Sequence, residues 1–415
     1  MARRRLLALL LIVMLGLSVS ACGTAGRSVP TAQGTTPTTD PVALAEDASP
    51  EEVRQAILAA LRSLGPVRVE ATVTADMGDL TNERRAEQLL DPVRHLARET
   101  VSRSRGSAEQ VSVIGNETIH VMGEGENAQV IRSVQLQPPT GLPLPLYALP
   151  PRLLEDAQAV SASRQADGSW ELVLQPQDTT REAQLMAGGP EELLIVVGPD
   201  LLPRHTERAI HYTTGGGTAG PDGTTSSWQS EQTSVERVEY LIEPIDGLDE
   251  QDVRLTLPEH YRLVQLSTEL SPDRPRADVS WSQYWLGPQF LDLKLQSAAF
   301  IVTNPDEAER SEATTSVYGS SGQPPWVHSI QLFTHARRPG EPDDWEQITE
   351  PPLPNDTTEE MTVAGRTATV HTRTVSTPVA AFVMWIVFPD VSVQIQAFGL
   401  PPEAAKTVVE ELREM

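Results

Sequence analysis

Val67-Arg68-Val69-Glu70-Ala71-Thr72-Val73 alternates apolar and polar residues with a period of two. That period marks a strand with one buried face. A helix signal stands directly before it. Ser49-Pro50-Glu51-Glu52 offers a capping serine, a proline suited to the first helical position and a glutamate that completes a capping box. Val53, Ile57, Leu61 and Leu64 then recur at helical spacing, and Gly65-Pro66 ends the run. A helix with one apolar stripe has to pack on something, and strand signals follow at once.

Further strands are expected downstream. Val111 to Ile114 and Thr118 to Met122 flank Gly115-Asn116, a hairpin signal. Val130 to Leu136 alternates, and Pro143 to Leu154 is rich in Pro and Leu, with a short helix expected near Arg152. Trp170 to Leu174 follows an Asp167-Gly168 turn, and Leu193–Val197, Arg204–Thr213 and Thr233–Ile242 read as three more strands. The glycine-rich run Gly215 to Gly223 lacks a following Gly-Lys-Ser/Thr, a basic partner and a helix signal, so it reads as a flexible hairpin loop and not a phosphate cradle.

A short helix, the strand 67–73, the hairpin at Gly115-Asn116, the Pro-rich segment 142–154 and the later strands 193–197 and 204–213 resemble one pattern. It is the half-barrel of LolA-like lipoprotein carriers, actinobacterial lipid-binding lipoproteins and RseB-like envelope-stress regulators. The resemblance covers about 200 residues and is one of element order, without a short binding motif. It implies a curved antiparallel sheet over residues 48–246 whose inner face and covering helices hold an acyl chain. A filled apolar core would draw on the same residue types.

Residues 250–415 read as a second, smaller α+β domain. Val253–Leu257, Tyr261–Leu266, Phe290–Val302 and Val327–Thr334 are expected strands, with a linker at 271–278 and a charged loop from Asn304 to Ser316. Pro339 to Asp356 is rich in Pro and acid, hence a surface loop. Met361 to Val375 suggests a hairpin turning at Gly365, while the continuous apolar run Phe382–Phe388 suggests a buried central strand paired with Val391–Phe398 across Pro389-Asp390. Pro401-Pro402-Glu403 opens a last helix with Ala405, Val408, Val409 and Leu412 on its buried side. This ending resembles a domain of bacterial anti-sigma regulators and sporulation-type lipoproteins. The whole is α+β: a half-barrel sheet with helices, then a smaller antiparallel sheet with a C-terminal helix.

The N-terminus carries the most specific signal. Arg3, Arg4 and Arg5 precede an apolar run from Leu6 to Val19, too short to span a bilayer and suited to a secretion signal over residues 1–21. The run closes on Val19-Ser20-Ala21-Cys22-Gly23. This resembles the bacterial lipobox, which implies cleavage before Cys22 and a thioether-linked diacylglycerol on its thiol. Two acyl chains anchor a protein to a membrane. Residues 22–47, rich in Thr, Pro, Ala and Gly, read as a disordered tether spanning on the order of 25–30 Å.

Among 415 residues Cys22 is the sole cysteine, which excludes a disulfide framework, a zinc ribbon and a CxxC redox pair. The net charge of −25 argues against nucleic acid as a partner. Loss of residues 1–21 removes three arginines and leaves a body of about −28 on the extracytoplasmic face of the membrane, repelled by anionic headgroups.

Catalytic, cofactor and metal sites are not expected. HExxH, GxSxG, SxxK and P-loop patterns are absent. The histidines are scattered, with His205 and His211 able to share a strand face and His328 and His335 not. Asp343-Asp344 and Glu359-Glu360 lack calcium-loop spacing and read as solvated acids. Trp281, Tyr284 and Trp285 form an aromatic cluster that could serve a ligand or an envelope protein partner, or simply pack a sheet edge. The expected function is that of a membrane-anchored lipoprotein that binds a lipid or senses the envelope. The rival is a non-carrier module that binds another envelope protein.

Overall fold

The computed structural model describes residues 44–415 other than 78–79, 104–107, 139–153, 155–156, 177–189, 220–224, 272, 274, 308–309, 321–327, 338–355 and 377–379. Helix α1 (Pro50–Arg62) leads into eleven strands. These are β1 (Val67–Met77), β2 (Leu80–Asp91), β3 (Leu96–Arg103), β4 (Glu109–Ile114), β5 (Glu117–Met122) and β6 (Gln129–Val134), then β7 (Ala157–Arg164), β8 (Trp170–Pro176), β9 (Pro190–Val197), β10 (Pro203–Ala219) and β11 (Thr225–Pro244). After the one-turn α2 (Glu250–Val253) come β12 (Arg262–Leu270), β13 (Tyr284–Trp285), β14 (Gln289–Phe290), β15 (Leu293–Thr303), β16 (Ser311–Gly319) and β17 (Ser329–Ala336). Strands β18 (Thr357–Val363), β19 (Arg366–Ser376), β20 (Ala380–Val387) and β21 (Val391–Phe398) precede α3 (Ala404–Glu411) and β22 (Arg413–Glu414).

Twenty of these strands form one sheet. Its first part runs β7-β8-β9-β10-β11-β1-β2-β3-β4-β5-β6, all antiparallel. The chain enters at the middle, walks to one edge, and returns from the opposite edge to pair β11 with β1. Strand β12 then pairs parallel to β6, and β15, β16, β17, β21, β20, β19 and β18 continue antiparallel from it. A large open, mostly antiparallel sheet with few helices is the architecture. The second sheet expected from sequence is a continuation of the first, joined through the parallel β6–β12 pair.

Local chemistry explains the main elements. Ser49 Oγ accepts from the Glu52 amide (3.3 Å) and the Glu52 carboxylate accepts from the Ser49 amide (2.8 Å), so both halves of the expected capping box form. Gly115 at φ +60° and Gly365 at φ +78° sit in the tight turns β4–β5 and β18–β19, where a side chain would be strained. Helix α1 buries Val53, Ile57 and Leu58 against Trp170, Leu172, Leu174, Leu193 and Ile195 of β8 and β9. Its C-terminal end and the following turn, through Ala60, Leu61 and Leu64, reach Val67, Val69, Leu90, Ala97 and Val113. In the later part of the sheet, α3 buries Ala404 and Val408 with Phe382, Met384, Ile386, Val393 and Ile395.

Three sequence expectations change, and three strands are new. The alternation at Val253–Leu257 belongs to the end of α2 and an extended strap: Leu255 and Leu257 pack on Val121 and Val130 without a ladder partner. Ser311–Ser316 lies in β16, not in a charged loop; the charges of Glu307 and Arg310 mark only the turn before it. Gly215 to Gly217 continue the β10–β11 ladder opposite Gln229, Trp228 and Ser227 and so belong to a strand, not a loop. Strands β2, β3 and β7 have no counterpart in the sequence reading. The expected segments Pro143–Arg152 and Pro339–Asn355 lie outside the described residues.

Candidate functional site

Cross-strand register assigns every strand residue to a face, because paired residues in adjacent strands share one. The face that meets α1 carries successive rows. Val67, Leu90, Ala97, Val113 and Thr118 form one row. The next is Ile242, Val69, Gln88, Glu99, Val111, His120 and Ile131. Tyr240, Ala71, Ala86, Val101 and Glu109 form a third. Val238, Val73 and Arg84 follow, and then Arg208, Glu236 and Ala75. This inner face is apolar under the helix end and charged at its far rim, where Arg208 pairs with Glu236 at 2.6 Å.

The second row interrupts the apolar character. Gln88 is 1% exposed and Glu99 2%. The Gln88 Nε2 donates to Glu99 Oε2 at 2.6 Å. Burial pushes the Glu99 carboxyl up to about 8, against the pull of the Gln88 bond and with the Glu109 charge adding to the rise. Glu99 Oε1 and Gln88 Oε1 have no hydrogen-bond partner. Asp91 makes the contrast: equally buried, its Oδ1 accepts from the amides of Val93 (3.2 Å) and Arg94 (3.1 Å). His120, further along the row, is half-buried, and burial lowers its pKa.

The opposite face of β2–β6 is covered by the strap 245–258. Leu248 and Val253 pack on Leu96, and Ser112 Oγ donates to Val253 O at 2.7 Å. Arg98 donates to Asp252 O at 3.0 Å, and Arg94 donates to Leu248 O. A hollow of about 720 Å³ opens beside the strap, lined by Arg94, Asp249, Glu250, Gln251 and Arg254. A second, of about 330 Å³, lies among Glu70, Thr72, Arg85, Glu87, Thr100 and Ser102, with Ala71 and Ala86 also lining it. Both are lined mainly by polar residues, which does not suit an acyl chain.

The residues singled out in the sequence lie elsewhere. Cys22 and Asp343-Asp344 are outside the described residues. Tyr284 is 1% exposed and stacks on Phe388, while Trp281 is half-buried against the same core and donates to Glu312 at 3.5 Å. Trp285, half-buried, sits in β13 opposite Arg413. Glu359 and Glu360 are exposed on β18. His205 bonds Glu239 (2.8 Å), His328 bonds Gly399 O (3.0 Å) and Asp292 (3.1 Å), and His371 bonds Thr358 (2.9 Å). Among the described residues no group of three or more His, Cys, Asp or Glu is placed to hold a metal. None of their helices is long and apolar enough to cross a membrane.

Gln88 and Glu99 were missed because their strands are rich in Glu, Arg and Gln. The available signal was the inward set Ala86, Gln88, Leu90 and Ala97, Glu99, Val101, legible only once both segments are known to be strands.

No known family model and no curated protein sequence matches the chain. Similarity to solved structures is distant. MucB, in a crystal structure of its complex with MucA(peri), is 14% identical over 87% of this chain and 97% of that one, with a TM-score of 0.30. The MucA/MucB complex of Pseudomonas aeruginosa gives 12% identity, 88% and 98% coverage and a TM-score of 0.31. A candidate outer membrane lipoprotein-sorting protein domain from Vibrio parahaemolyticus gives 11% identity, 49% and 95% coverage and a TM-score of 0.26. At such scores, what the chain does has to be argued from its own residues.

Proposed function

We propose that this chain is an extracytoplasmic lipoprotein, anchored to the membrane by a diacylglycerol on Cys22, that binds a lipid or acyl chain on the inner face of residues 48–246. In this reading residues 1–21 are a signal peptide, 22–47 a tether, and 250–415 a C-terminal α+β portion. The observation that carries it is the inner face itself. Apolar rows run across β11 and β1–β4, one end lies under α1, and the other meets the Arg208–Glu236 rim. Such a graded face suits an amphiphile whose chain lies inside and whose polar end faces out. The N-terminal sequence adds the compartment, because the lipobox-like Val19–Cys22 would deliver the body to a membrane surface.

Native mass spectrometry of the purified chain lacking the anchor tests the binding. Co-purifying lipid is expected; protein that neither carries nor takes up lipid would overturn it. The anchor has its own test. Cys22→Ala is expected to move the protein from the membrane fraction to the soluble fraction, and retention in membranes would overturn the lipid attachment.

A second reading keeps the location but gives the chain another role, as an interaction module that regulates a membrane partner. The described sheet ends in β7 and β18, each paired on one side only among the described residues. Edge strands are templates for an added strand. In-cell crosslinking from Val160, exposed on β7, is expected to capture one envelope protein under this reading and none under the first.

A further inference from the structure

Strands β10 and β11 outrun the sheet. Strand β9 follows β10 only as far as Ile210, opposite Pro190, and β1 follows β11 only to Ser234, opposite Met77. Beyond that line β10 and β11 pair with each other alone among the described residues, in nine unbroken steps from His211↔Thr233 to Ala219↔Thr225. At about 3.4 Å per residue this makes a two-stranded arm roughly 27 Å long. The β1–β2 hairpin turns at residues 78–79, so the ladder on the β11 side ends where the arm begins.

Two features leave the arm unfinished. A lone two-stranded ribbon is marginal in water, and three glycines, Gly215 to Gly217, weaken this one further. Its β11 edge also lacks the usual safeguards against an added strand. Thr225 to Thr233 contains no Pro, Lys or Arg, and its pairing has no bulge. Tyr212, opposite Gln232, and Trp228, opposite Gly216, fall on one face of the arm by their register.

Charge selects the occupant. A chain at −25 repels its own copies wherever two bodies meet. Residues 211–233 hold two formal charges, Asp222 and Glu231, in a chain that is 21% charged. Two arms laid side by side and antiparallel place the bodies at opposite ends. That separation is about three Debye lengths at physiological salt, so the repulsion is largely screened. A second copy also brings an edge of equal length and equal need.

We propose that the arm is a self-association surface, where two copies pair β11 to β11, antiparallel, about a two-fold axis at Gln229. The product is one four-stranded sheet, enough strands to be stable with an apolar face. This register sets Thr225 against the partner's Thr233 and Glu231 against the partner's Ser227, so like charges do not meet. Trp228 stands diagonal to the partner's Trp228, about 7–8 Å away and within reach of an aromatic ring. Both tryptophans and both copies of Tyr212 then share the face that the new sheet has to bury. The pairing is independent of what the inner face of residues 48–246 binds.

The test uses the chain from residue 22 with Cys22→Ala, which can carry no anchor and has no thiol. Sedimentation over a concentration series is expected to show one chain passing to two. Gln229→Lys and Gln229→Glu each set like charges against each other at the axis, and each should weaken the dimer about tenfold. Mixing the two variants should restore it, which misfolding of either would not allow. Gln229→Cys is expected to form an intermolecular disulfide under mild oxidation, because paired Cα atoms stand within the span of that bond. Thr213→Cys, on the far strand of each arm, should stay reduced. A chain that stays single throughout the series overturns the proposal. So does a dimer that tolerates Gln229→Lys, or one that crosslinks equally through Thr213→Cys.

Discussion

The ring of Tyr284 lies parallel to that of Phe388, with centroids 4.8 Å and planes 5° apart. Arg366 locks the pair: it donates to the Tyr284 hydroxyl at 3.0 Å, its guanidinium carbon stands 5.0 Å from the Phe388 centroid, and it is ion-paired with Asp390. Three chain segments meet at one buried ring. Tyr284→Ala is expected to cost about 3–5 kcal/mol through the cavity it leaves. Tyr284→Phe removes only a hydrogen bond and should cost about 1 kcal/mol. Urea unfolding checks both. A Tyr284→Ala chain as stable as the parent would return this aromatic to the candidate binding residues.

Glu99 should make the protein less stable as pH rises. Its folded carboxyl titrates at about 8, above the ordinary 4.5, so the folded chain holds a proton that the unfolded chain has lost between those values. Stability is full below about pH 4.5 and declines until pH passes about 8, by a total on the order of 5 kcal/mol. His120 acts in the opposite sense at lower pH, since burial lowers its pKa and favours the neutral ring. The difference between the parent and Glu99→Gln isolates the carboxyl. Urea midpoints from about pH 5 to 8.5 should fall more steeply for the parent, and parallel curves would contradict a protonated Glu99.

Elements with a strong local signal were legible in the sequence, and those made by pairing were not. The capping box at Ser49, the turns at Gly115 and Gly365 and the apolar run Phe382–Phe388 each carry their structure in a few adjacent residues. Strand β2 does not. Its Glu83, Arg84, Arg85 and Glu87 suit a helix as well as a strand, and only pairing to β1 and β3 decides. The strap at 254–257 shows the converse, an alternation produced by packing one side on a sheet without joining it. The candidate site was hidden for the first reason. Gln88 and Glu99 become neighbours only through the β2–β3 register.

Val253 ties the strap to the sheet. It is fully buried with Leu96 and Leu248, and its carbonyl accepts from Ser112. Val253→Ala is expected to cost about 2 kcal/mol. The strap should also open more often than the strands around it, because it has side-chain packing and few ladder bonds. Limited proteolysis of the variant should cut first within 245–258. First cleavage elsewhere would show that the strap is not the weakest seam between the two parts of the sheet.

The two halves of the capping box at α1 should be energetically coupled. Ser49 Oγ caps the Glu52 amide while Glu52 caps the Ser49 amide and also bonds its hydroxyl at 2.7 Å. Removing either side chain exposes one amide and strands the partner, so Ser49→Ala and Glu52→Ala should each cost about 1 kcal/mol. The double variant should cost less than their sum, because the second loss removes a bond the first has already broken. Helix α1 covers one end of the inner face, so under the proposed lipid-binding function any loosening should also speed the escape of lipid. A double-mutant cycle by urea unfolding, with lipid off-rates measured on the same four proteins, checks both claims. Strict additivity would show that the two caps act independently, and unchanged off-rates would separate the helix from the ligand path.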